Sequence, residues 1–234
     1  MKISEIIEKN KKSIILLDIV IPGENNQSRI SIRGTGFIVS EDGKFITCAH
    51  VYNQIPENER QFFGVKVPAK TDEKGITFYD RYKVELVNMD KENDIALMQI
   101  VSDNNIKFGS VFGLGDPSLI KEGDEVMFLG YPLALELIKM GFGITMSANK
   151  CIISSIKRRG KDGSLHFFMV DTHINNGSSG SPLFSVDTGK IIGVASGKIS
   201  AKVPSPGGKQ IDVPANMGIC KPSNYIKNLI NINK

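Results

Sequence analysis

The sequence predicts an all-β protein with a short helix near each end. Short apolar segments alternate with clusters of Gly, Pro, Asn and Asp, a spacing typical of antiparallel strands that close into a barrel. Helical spacing of apolar residues occurs in residues 1–12 and 222–230. With 234 residues, of which 41% are hydrophobic and 23% charged, the chain is long enough to bury a full core.

The first twelve residues predict an amphipathic helix packed on the rest of the protein. Ile3, Ile6 and Ile7 fall on one helical face among charged residues. The apolar stretch that follows, residues 13–21, contains Asp18, lacks a small-residue cleavage site and is shorter than the ~20 apolar residues of a membrane span. We therefore expect neither a signal peptide nor contact with a membrane.

Two sets of strands are predicted after this helix. A Leu-Gly-Asp-Pro turn at residues 114–117 separates the sets. The predicted strands are residues 13–21, 29–40, 44–49, 62–67, 83–88 and 95–101, then residues 125–130, 143–155, 165–172, 181–185, 191–196 and 217–221. Residues 133–142 and 203–208 are predicted to be loops, and residues 222–230 a closing helix.

Charge, cysteine and histidine content narrow the choice of partners and cofactors. The formal charge of +4 is mild, and the one basic cluster, residues 157–161, is interpreted as a solvated hairpin tip, with contact to nucleic acid or an acidic substrate as the alternative. Cys48, Cys151 and Cys220 lie in apolar segments, which favours buried free thiols in a reducing, cytoplasmic environment. Because no Cys or His stands at metal-ligand spacing, we expect no metal and no other cofactor.

Three polar residues have the types that nucleophilic catalysis requires. Ser179 lies in D-T-H-I-N-N-G-S-S-G-S-P, residues 171–182, where Gly177 and Gly180 predict a tight turn that exposes its hydroxyl. A serine hydroxyl is a poor nucleophile until a base removes its proton, and that base needs an orienting carboxylate. His50 and Asp94 occur upstream, each at one end of a strand-like segment. Taken singly, the three could be a turn serine, a core histidine and a turn acid.

The segments around these residues resemble the trypsin-like (chymotrypsin-clan) serine proteases, most closely the protease domain of the HtrA/Deg type. The chain reads G-T-G-F-I-V at residues 34–39, T-C-A-H at 47–50, N-D-I-A-L at 93–97 and G-S-S-G-S-P at 177–182. Further matches at residues 114–116, 123–126, 130–132 and 216–224 extend the resemblance over most of the chain. Ser178 and Ser181 replace the family's usual Asn and Gly, although a G-S-P ending is similar to that of staphylococcal V8-type relatives. We expect these two changes to affect turn shape more than chemistry.

The resemblance implies a fold and a mechanism. It implies two antiparallel six-stranded β-barrels, residues 13–110 and 111–234, preceded by the helix of residues 1–12. His50 and Asp94 then belong to the first barrel and Ser179 to the second. The implied enzyme is a serine endopeptidase in which Ser179 attacks a peptide carbonyl, His50 is the base and Asp94 orients it, while the N–H groups of Gly177 and Ser179 hold the oxyanion.

The resemblance also assigns a specificity pocket. It places His173, six residues before the serine, at the base of the pocket that receives the side chain preceding the cut. Ala195, Ser196 and Gly197 would line the pocket wall, and Ser196 would also hydrogen-bond the triad aspartate. His173 either faces the pocket and favours polar or acidic side chains, or points away and braces the loop.

Regulation and competing functions complete the expectations. A cytoplasmic protease without a recognisable propeptide site would damage its cell if always active, so we expect a partner protein, an oligomer or the substrate to order the loops around Gly177. The competing function is a non-catalytic module that captures extended peptides in the cleft by strand addition. Cys48, two residues before His50, matches a structural position of the family. An α/β-hydrolase esterase is excluded, because its G-x-S-x-G motif needs glycine where Ser181 stands.

Overall fold

The computed structural model describes residues 1–23, 27–102, 106–109, 113–205 and 208–231. The predicted boundary between the two barrels, at residues 110–111, lies outside these ranges. No helix within them is long and apolar enough to cross a membrane.

The first barrel is a closed antiparallel sheet of six strands in the order β1-β2-β3-β6-β5-β4. A short helix, α2, follows β3. The elements are β1 (Ile14–Pro22), β2 (Ser28–Ile38), β3 (Lys44–Thr47), α2 (Ala49–Asn53), β4 (Phe63–Thr71), β5 (Thr77–Asp90) and β6 (Ile95–Val101).

The second barrel repeats this arrangement, with the closed order β10-β11-β12-β9-β8-β7. Its elements are β7 (Glu125–Gly130), α3 (Ala134–Lys139), β8 (Ser147–Arg158), β9 (Leu165–Val170), β10 (Pro182–Ser185), β11 (Ile191–Pro204) and β12 (Gln210–Pro222). The prediction of an all-β protein with two six-stranded barrels is confirmed.

Strand β7 shows how alternation builds the contact between the barrels. Val126 and Phe128 belong to the core of the second barrel. Met127 and Leu129 point to the opposite face and join the core of the first barrel. All four side chains are at most 1% exposed. One strand with apolar residues on both faces therefore fills one barrel and joins it to the other.

The helices near the two ends, α1 (Ile3–Asn10) and α4 (Asn224–Asn231), pack on the same core. Ile6 of α1 is completely buried, and Ile3 and Ile7 pack beside it. Ile226 and Leu229 of α4 are three residues apart and both buried, which is the spacing of one helical face. Both helices cover the body with an apolar stripe.

An ion cluster is buried at a β-bulge of β1. The register of β1 against β2 shifts between Leu17 and Asp18. The Asp18 carboxylate, which is fully buried, accepts a hydrogen bond from Arg81 Nε at 2.9 Å and lies 3.4 Å from Lys66 Nζ. Because a buried carboxylate is costly unless it is paired, these two cations are needed to keep Asp18 in place.

The strand predicted to end at residue 49 ends earlier. β3 stops at Thr47 and α2 begins at Ala49, so His50 lies in the first turn of a short helix. Ala49 N donates to Asp94 O at 3.2 Å and Gln54 N to His50 O at 3.1 Å. The backbone therefore leaves the sheet at Ala49, where the N–H of Ala49 bonds the carbonyl of Asp94.

The two predicted loops differ from the structure in their described residues. Residues 133–142 include α3, and the strands that flank the second loop continue to Pro204 in β11 and from Gln210 in β12, while residues 206–207 lie outside the described ranges. Val203 of β11 pairs with Ile211 of β12. We call the part of β11 and β12 that projects beyond the barrel, residues 198–205 and 208–216, the ribbon.

Candidate active site

Asp94 holds both the ring and the backbone of His50. Asp94 Oδ2 lies 2.8 Å from His50 Nδ1, and Asp94 Oδ1 accepts a hydrogen bond from His50 N at 2.9 Å. Asp94 adopts a left-handed backbone conformation with φ +59°, which is uncommon outside glycine and directs the carboxylate back toward α2. With Nδ1 as the donor to the carboxylate, His50 Nε2 is left as the basic nitrogen.

A residue of the second barrel completes this pair. Ser196 Oγ donates to Asp94 Oδ2 at 2.5 Å, the contact that the resemblance implied. Burial raises the pKa of the Asp94 carboxyl, but hydrogen bonds from His50 and Ser196 and the adjacent imidazole outweigh burial and hold that pKa below its ordinary value. Asp94 is therefore set to remain ionised beside His50.

Ser179 lies in a turn whose shape requires glycine on both sides. Gly177 and Gly180 have φ angles of +92° and +91°. A Cβ on Gly177 would lie 2.3 Å from Tyr131 O, and a Cβ on Gly180 would lie 2.0 Å from Thr35 O. Both the backbone conformation and the space exclude larger residues. The Ser179 hydroxyl donates to Ser196 O at 3.3 Å, so Ser196 touches both the serine and the aspartate.

Two N–H groups of this turn have no acceptor among the described residues. Ser178 N donates to Asn175 O at 3.0 Å and Gly180 N to Ala195 O at 2.8 Å, whereas the N–H groups of Gly177 and Ser179 donate to no atom of the described residues. Neighbouring amide donors with no protein partner form a site for a negatively charged oxygen.

Thr35 of β2 holds the same turn from the first barrel. Its Oγ1 donates to Gly177 O at 2.6 Å and accepts from Tyr131 N at 3.0 Å, while its backbone N donates to Ser179 O at 2.8 Å. Thr35 is completely buried. Sequence reasoning used the G-T-G-F segment only as a family match and missed this side chain. The available signal was a polar residue between two glycines in an apolar strand.

The peptide group between Asn176 and Gly177 is fixed from a third direction. Asn176 O accepts a hydrogen bond from Leu133 N at 2.8 Å. Leu133, immediately before α3, has a left-handed backbone with φ +52°. Because the carbonyl of Asn176 and the N–H of Gly177 belong to one planar peptide, this bond also sets the direction of that N–H.

The residues assigned to the specificity pocket have different surroundings. His173 is half-buried, with Nδ1 3.4 Å from Ala215 O. Ala195 is completely buried, and its carbonyl accepts hydrogen bonds from Gly180 N and Cys48 Sγ, so it braces the serine turn. A Cβ on Gly197 would meet no atom within 4 Å, which leaves open space beside that part of β11.

One cluster of possible metal ligands lies at the site. It consists of Cys48, His50 and Asp94, each of which has one potential ligand atom within 4.8 Å of the others. A metal there would require a Cys48 thiolate. Burial, together with the charge of Asp94, raises the pKa of the Cys48 thiol well above its ordinary value. The Cys48 Sγ also donates to Ala195 O at 3.2 Å. This donor set does not fit a metal, and the same two features make Cys48 an unsuitable nucleophile.

The basic cluster at residues 157–161 reaches the turn that carries Asp94. It lies at the end of β8 and in the first part of the turn that leads to β9. Arg159 donates to Glu92 Oε1 at 2.6 Å and to Asn93 Oδ1 at 2.7 Å, and Asn93 Nδ2 donates to Asp90 Oδ2 at 2.6 Å. The cluster is an exposed hairpin tip, as interpreted from the sequence, and the partly exposed Arg159 also joins the second barrel to the Asp94 turn.

The sequence is similar to a protein family model and to several curated serine proteases. Residues 34–194 match the family model described as the trypsin-like peptidase domain. Serine protease HTRA4 of Mus musculus is 30% identical over 207 residues, which cover 86% of this chain and 37% of that protein. Serine protease HTRA1B of Danio rerio is 28% identical over 206 residues, covering 86% and 38%.

A bacterial relative gives a similar result. The probable periplasmic serine endoprotease DegP-like of Halomonas elongata is 34% identical over 166 residues, covering 70% of this chain and 29% of that protein. The chain thus spans less than half the length of the curated relatives it matches.

Proposed function

Because the chain belongs to the trypsin-like peptidase family, we propose that it is a serine endopeptidase with Ser179 as its nucleophile. The observation that carries this proposal is the Ser196 bridge. Ser196 bonds the hydroxyl of Ser179 and the carboxylate of Asp94, which in turn holds His50. A serine, a histidine and an oriented carboxylate therefore lie beside two N–H groups that have no acceptor in the described part of the chain.

The first half of the proposed reaction acylates the serine. His50 Nε2 removes the proton from Ser179 Oγ as that oxygen attacks the carbonyl carbon of the scissile peptide. Asp94 stabilises the resulting imidazolium without taking its proton. The N–H groups of Gly177 and Ser179 hold the oxyanion, where the loss of one donor costs about 10²–10³ in kcat. The imidazolium then protonates the leaving amine, and water attacks the acyl group by the reverse sequence.

The Ser179 hydroxyl has to change its hydrogen-bond partner before attack. It donates to Ser196 O, and among the described residues the one side-chain partner of His50 is Asp94. Rotation about the Cα–Cβ bond of Ser179 moves the hydroxyl toward the imidazole. A partner protein, a second copy of the chain or the substrate would control this rotation by ordering the loops that hold Gly177.

The proposed substrates are proteins or peptides, and no cofactor takes part. In the specificity pocket, Gly197 leaves space for the side chain before the cut, and His173 braces the loop through its contact with Ala215 O. We also propose a cytoplasmic location, which the three buried free cysteines support. Cell fractionation that found the protein outside the cytoplasm would contradict this location.

Covalent labelling with a fluorophosphonate probe tests the nucleophile. The wild type and Ser178→Ala are expected to be labelled, whereas Ser179→Ala and His50→Ala are not. Ser178 is a matched control because it adjoins Ser179 and its buried hydroxyl has no hydrogen-bond partner among the described residues. Labelling that persists in Ser179→Ala contradicts the assignment. A wild type that binds peptides but is never labelled would favour the non-catalytic module.

A rate measurement tests the regulation. Purified wild type is expected to cleave denatured casein slowly until a partner protein or self-association orders the loops. Full activity of the isolated monomer, with no change on adding a cell extract or raising its concentration, would contradict regulation and leave the endopeptidase assignment intact.

A further inference from the structure

Arg33 is the extra residue of a β-bulge in β2, next to the serine turn. The pairing of β2 with β1 includes Ile32 and continues at Gly34, so Arg33 has no partner in β1. Bulges beside active sites redirect a side chain out of the regular alternation of a strand. The bulge therefore sets the direction of the Arg33 side chain independently of its neighbours in β2.

The residue after Arg33 contacts the serine turn. A Cβ on Gly34 would lie 2.7 Å from Ser179 O and 2.9 Å from Val51 Cγ2. The next residue, Thr35, donates its N–H to the same Ser179 carbonyl at 2.8 Å. Arg33 is therefore one residue away from the point where β2, the serine turn and α2 meet.

Ser179 lies between β11 of the second barrel and β2 of the first. Its hydroxyl donates to Ser196 O of β11, and the open space proposed for the side chain before the cut lies beside Gly197. Its carbonyl accepts from Thr35 N of β2. A peptide whose residue before the cut lies beside β11 therefore passes β2 with the residues that follow the cut.

The Arg33 side chain forms no hydrogen bond and no ion pair in the described part of the chain. It is half-buried, and its Nε is buried without a partner. Burial lowers the pKa of Arg33, and the charge of Glu59 partly offsets this effect, but Glu59 is itself bonded to Arg29 at 2.6 Å. A partly buried cation without a bonded counter-ion is costly, so a carboxylate placed beside Arg33 would be stabilised.

A second guanidinium near α2 is also incompletely paired. Arg60 follows Glu59 in the chain and stacks on Tyr52 of α2, with its guanidinium carbon 5.0 Å from the ring centre. Arg60 Nε is buried and has no hydrogen-bond partner among the described residues. Glu57 lies 4.0 Å from Arg60 Nη1, but its side chain is 93% exposed and the pair is screened by water. The side of the site that adjoins α2 therefore favours an anionic ligand.

We propose that Arg33 binds an acidic side chain of the substrate, within the first three residues after the cut. An extended chain advances about 3.3 Å per residue, so these three residues cover about 10 Å beside β2. The planar guanidinium can bond one carboxylate through two parallel N–H groups. An amide of the same shape lacks the charge, so Arg33 distinguishes Glu from Gln.

This inference rests on the proposed endopeptidase function and names a feature of its substrates. Preferred substrates carry Glu or Asp shortly after the cleaved bond. Lysine at the same position is disfavoured, because Arg33 repels it. A charge-assisted pair is expected to favour Glu over Gln by about tenfold in kcat/KM. High salt reduces this preference, because Arg33 is partly exposed.

Matched peptides test the inference on the wild type. Mass spectrometry first identifies the main cleavage site in denatured casein, and a reference peptide carries Ala at the first three positions after that cut. Glu, Gln or Lys then replaces each Ala in turn. We expect the ratio of kcat/KM for the Glu peptide to that for the Gln peptide to reach about ten at one position, where the Lys peptide is the slowest.

Charge variants show whether Arg33 carries the preference. Arg33→Met keeps an apolar side chain without the charge and is expected to bring the Glu-to-Gln ratio to about one. Arg33→Lys keeps the charge without the paired N–H groups and is expected to retain a ratio of about three. Glu59→Gln removes the carboxylate that acts on Arg33 and is expected to raise the ratio. Each ratio compares two peptides on one variant, so a general loss of activity cancels.

Arg158→Met is the matched control. It removes the same charge from an exposed arginine at the end of β8 and is expected to keep the wild-type ratio. A ratio that survives in Arg33→Met, or that falls equally in Arg158→Met, overturns the role of Arg33.

The remaining outcomes separate this inference from the endopeptidase function. A Glu-to-Gln ratio near one at all three positions of the wild-type substrates, or a lower ratio in Glu59→Gln, overturns the inference and leaves the endopeptidase assignment standing. Failure of the wild type to be labelled by the fluorophosphonate or to cleave any peptide overturns both.

Discussion

Replacement of Thr35 by valine is expected to weaken both folding and activity. Valine keeps the shape of threonine but removes the hydroxyl that bonds Gly177 O and Tyr131 N. Each of these buried groups, left without a partner, costs about 1–3 kcal/mol, and the added methyl returns about 0.8 kcal/mol. We expect the free energy of unfolding to fall by about 1–5 kcal/mol.

The effect on activity follows from the position of the turn. Thr35 Oγ1 bonds the carbonyl of Gly177, whose N–H is one of the two proposed oxyanion donors. If that donor shifts, kcat falls by about 10–100-fold, which approaches the cost of losing a donor. KM for a short peptide changes little, because Thr35 is buried and does not contact substrate.

Urea unfolding and peptide kinetics measure the two effects. Far-UV circular dichroism suits the unfolding, because the chain has no tryptophan. Thr35→Ser is the matched control: it keeps the hydroxyl, loses one methyl group and is expected to retain kcat with about 1 kcal/mol less stability. A Thr35→Val protein with wild-type kcat would refute the positioning argument. A Thr35→Ser protein as inactive as Thr35→Val would also refute it, since the hydroxyl would then not be the cause.

Three further predictions concern charge, space and pH. Asp18→Asn is expected to lower the free energy of unfolding by about 3–5 kcal/mol, because it leaves two cations around a buried neutral group. Asp42→Asn, at an exposed ion pair, is expected to change that free energy by less than about 1 kcal/mol. Equal effects of the two variants in urea unfolding would contradict the burial argument. Gly177→Ala is expected to abolish peptide cleavage, because its Cβ would lie 2.3 Å from a main-chain oxygen, and near-normal kcat would show that the turn can relax. Since the pKa of Asp94 is lowered in the folded protein, its stabilising effect is complete above its ordinary pKa of about 3.9 and is lost as the pH falls through the folded-state pKa. Ser196→Ala, which removes one of the responsible hydrogen bonds, should therefore destabilise the protein at pH 6, and the difference should shrink as the pH falls through the folded-state pKa of Asp94. A difference that stays constant down to acid pH would contradict the linkage.

Much of the fold could be predicted because the two signals that indicated it, strand patterning and family motifs, each lie within short segments of the sequence. Short apolar strands between turn residues indicated an all-β protein, and the four segments around His50, Asp94 and Ser179 gave the family, which the match over residues 34–194 confirms. The catalytic roles of these residues stay predictions until the nucleophile is labelled.

The missed features are contacts between segments far apart in the chain. Thr35 meets Gly177 across 142 residues and Arg159 meets Asn93 across 66. The sequence next to either residue does not predict its partner, because the packing of the two barrels against each other determines which residues meet. The ribbon was missed for another reason: its proline and glycine tip has the composition of a loop, while the strands on either side were long enough to continue the pairing.

Each barrel is formed from one uninterrupted stretch of chain, and this sets the order in which the site can be assembled during synthesis. The segment that contains His50 and Asp94 leaves the ribosome before the second barrel, because all six strands of the first barrel precede residue 102. Ser179 emerges much later, and its surroundings still lack Ser196 and the closing strand β12. A nascent chain therefore carries the histidine and aspartate long before it carries the proposed nucleophile, and we expect it to be unable to cut itself or its neighbours until the second barrel has closed.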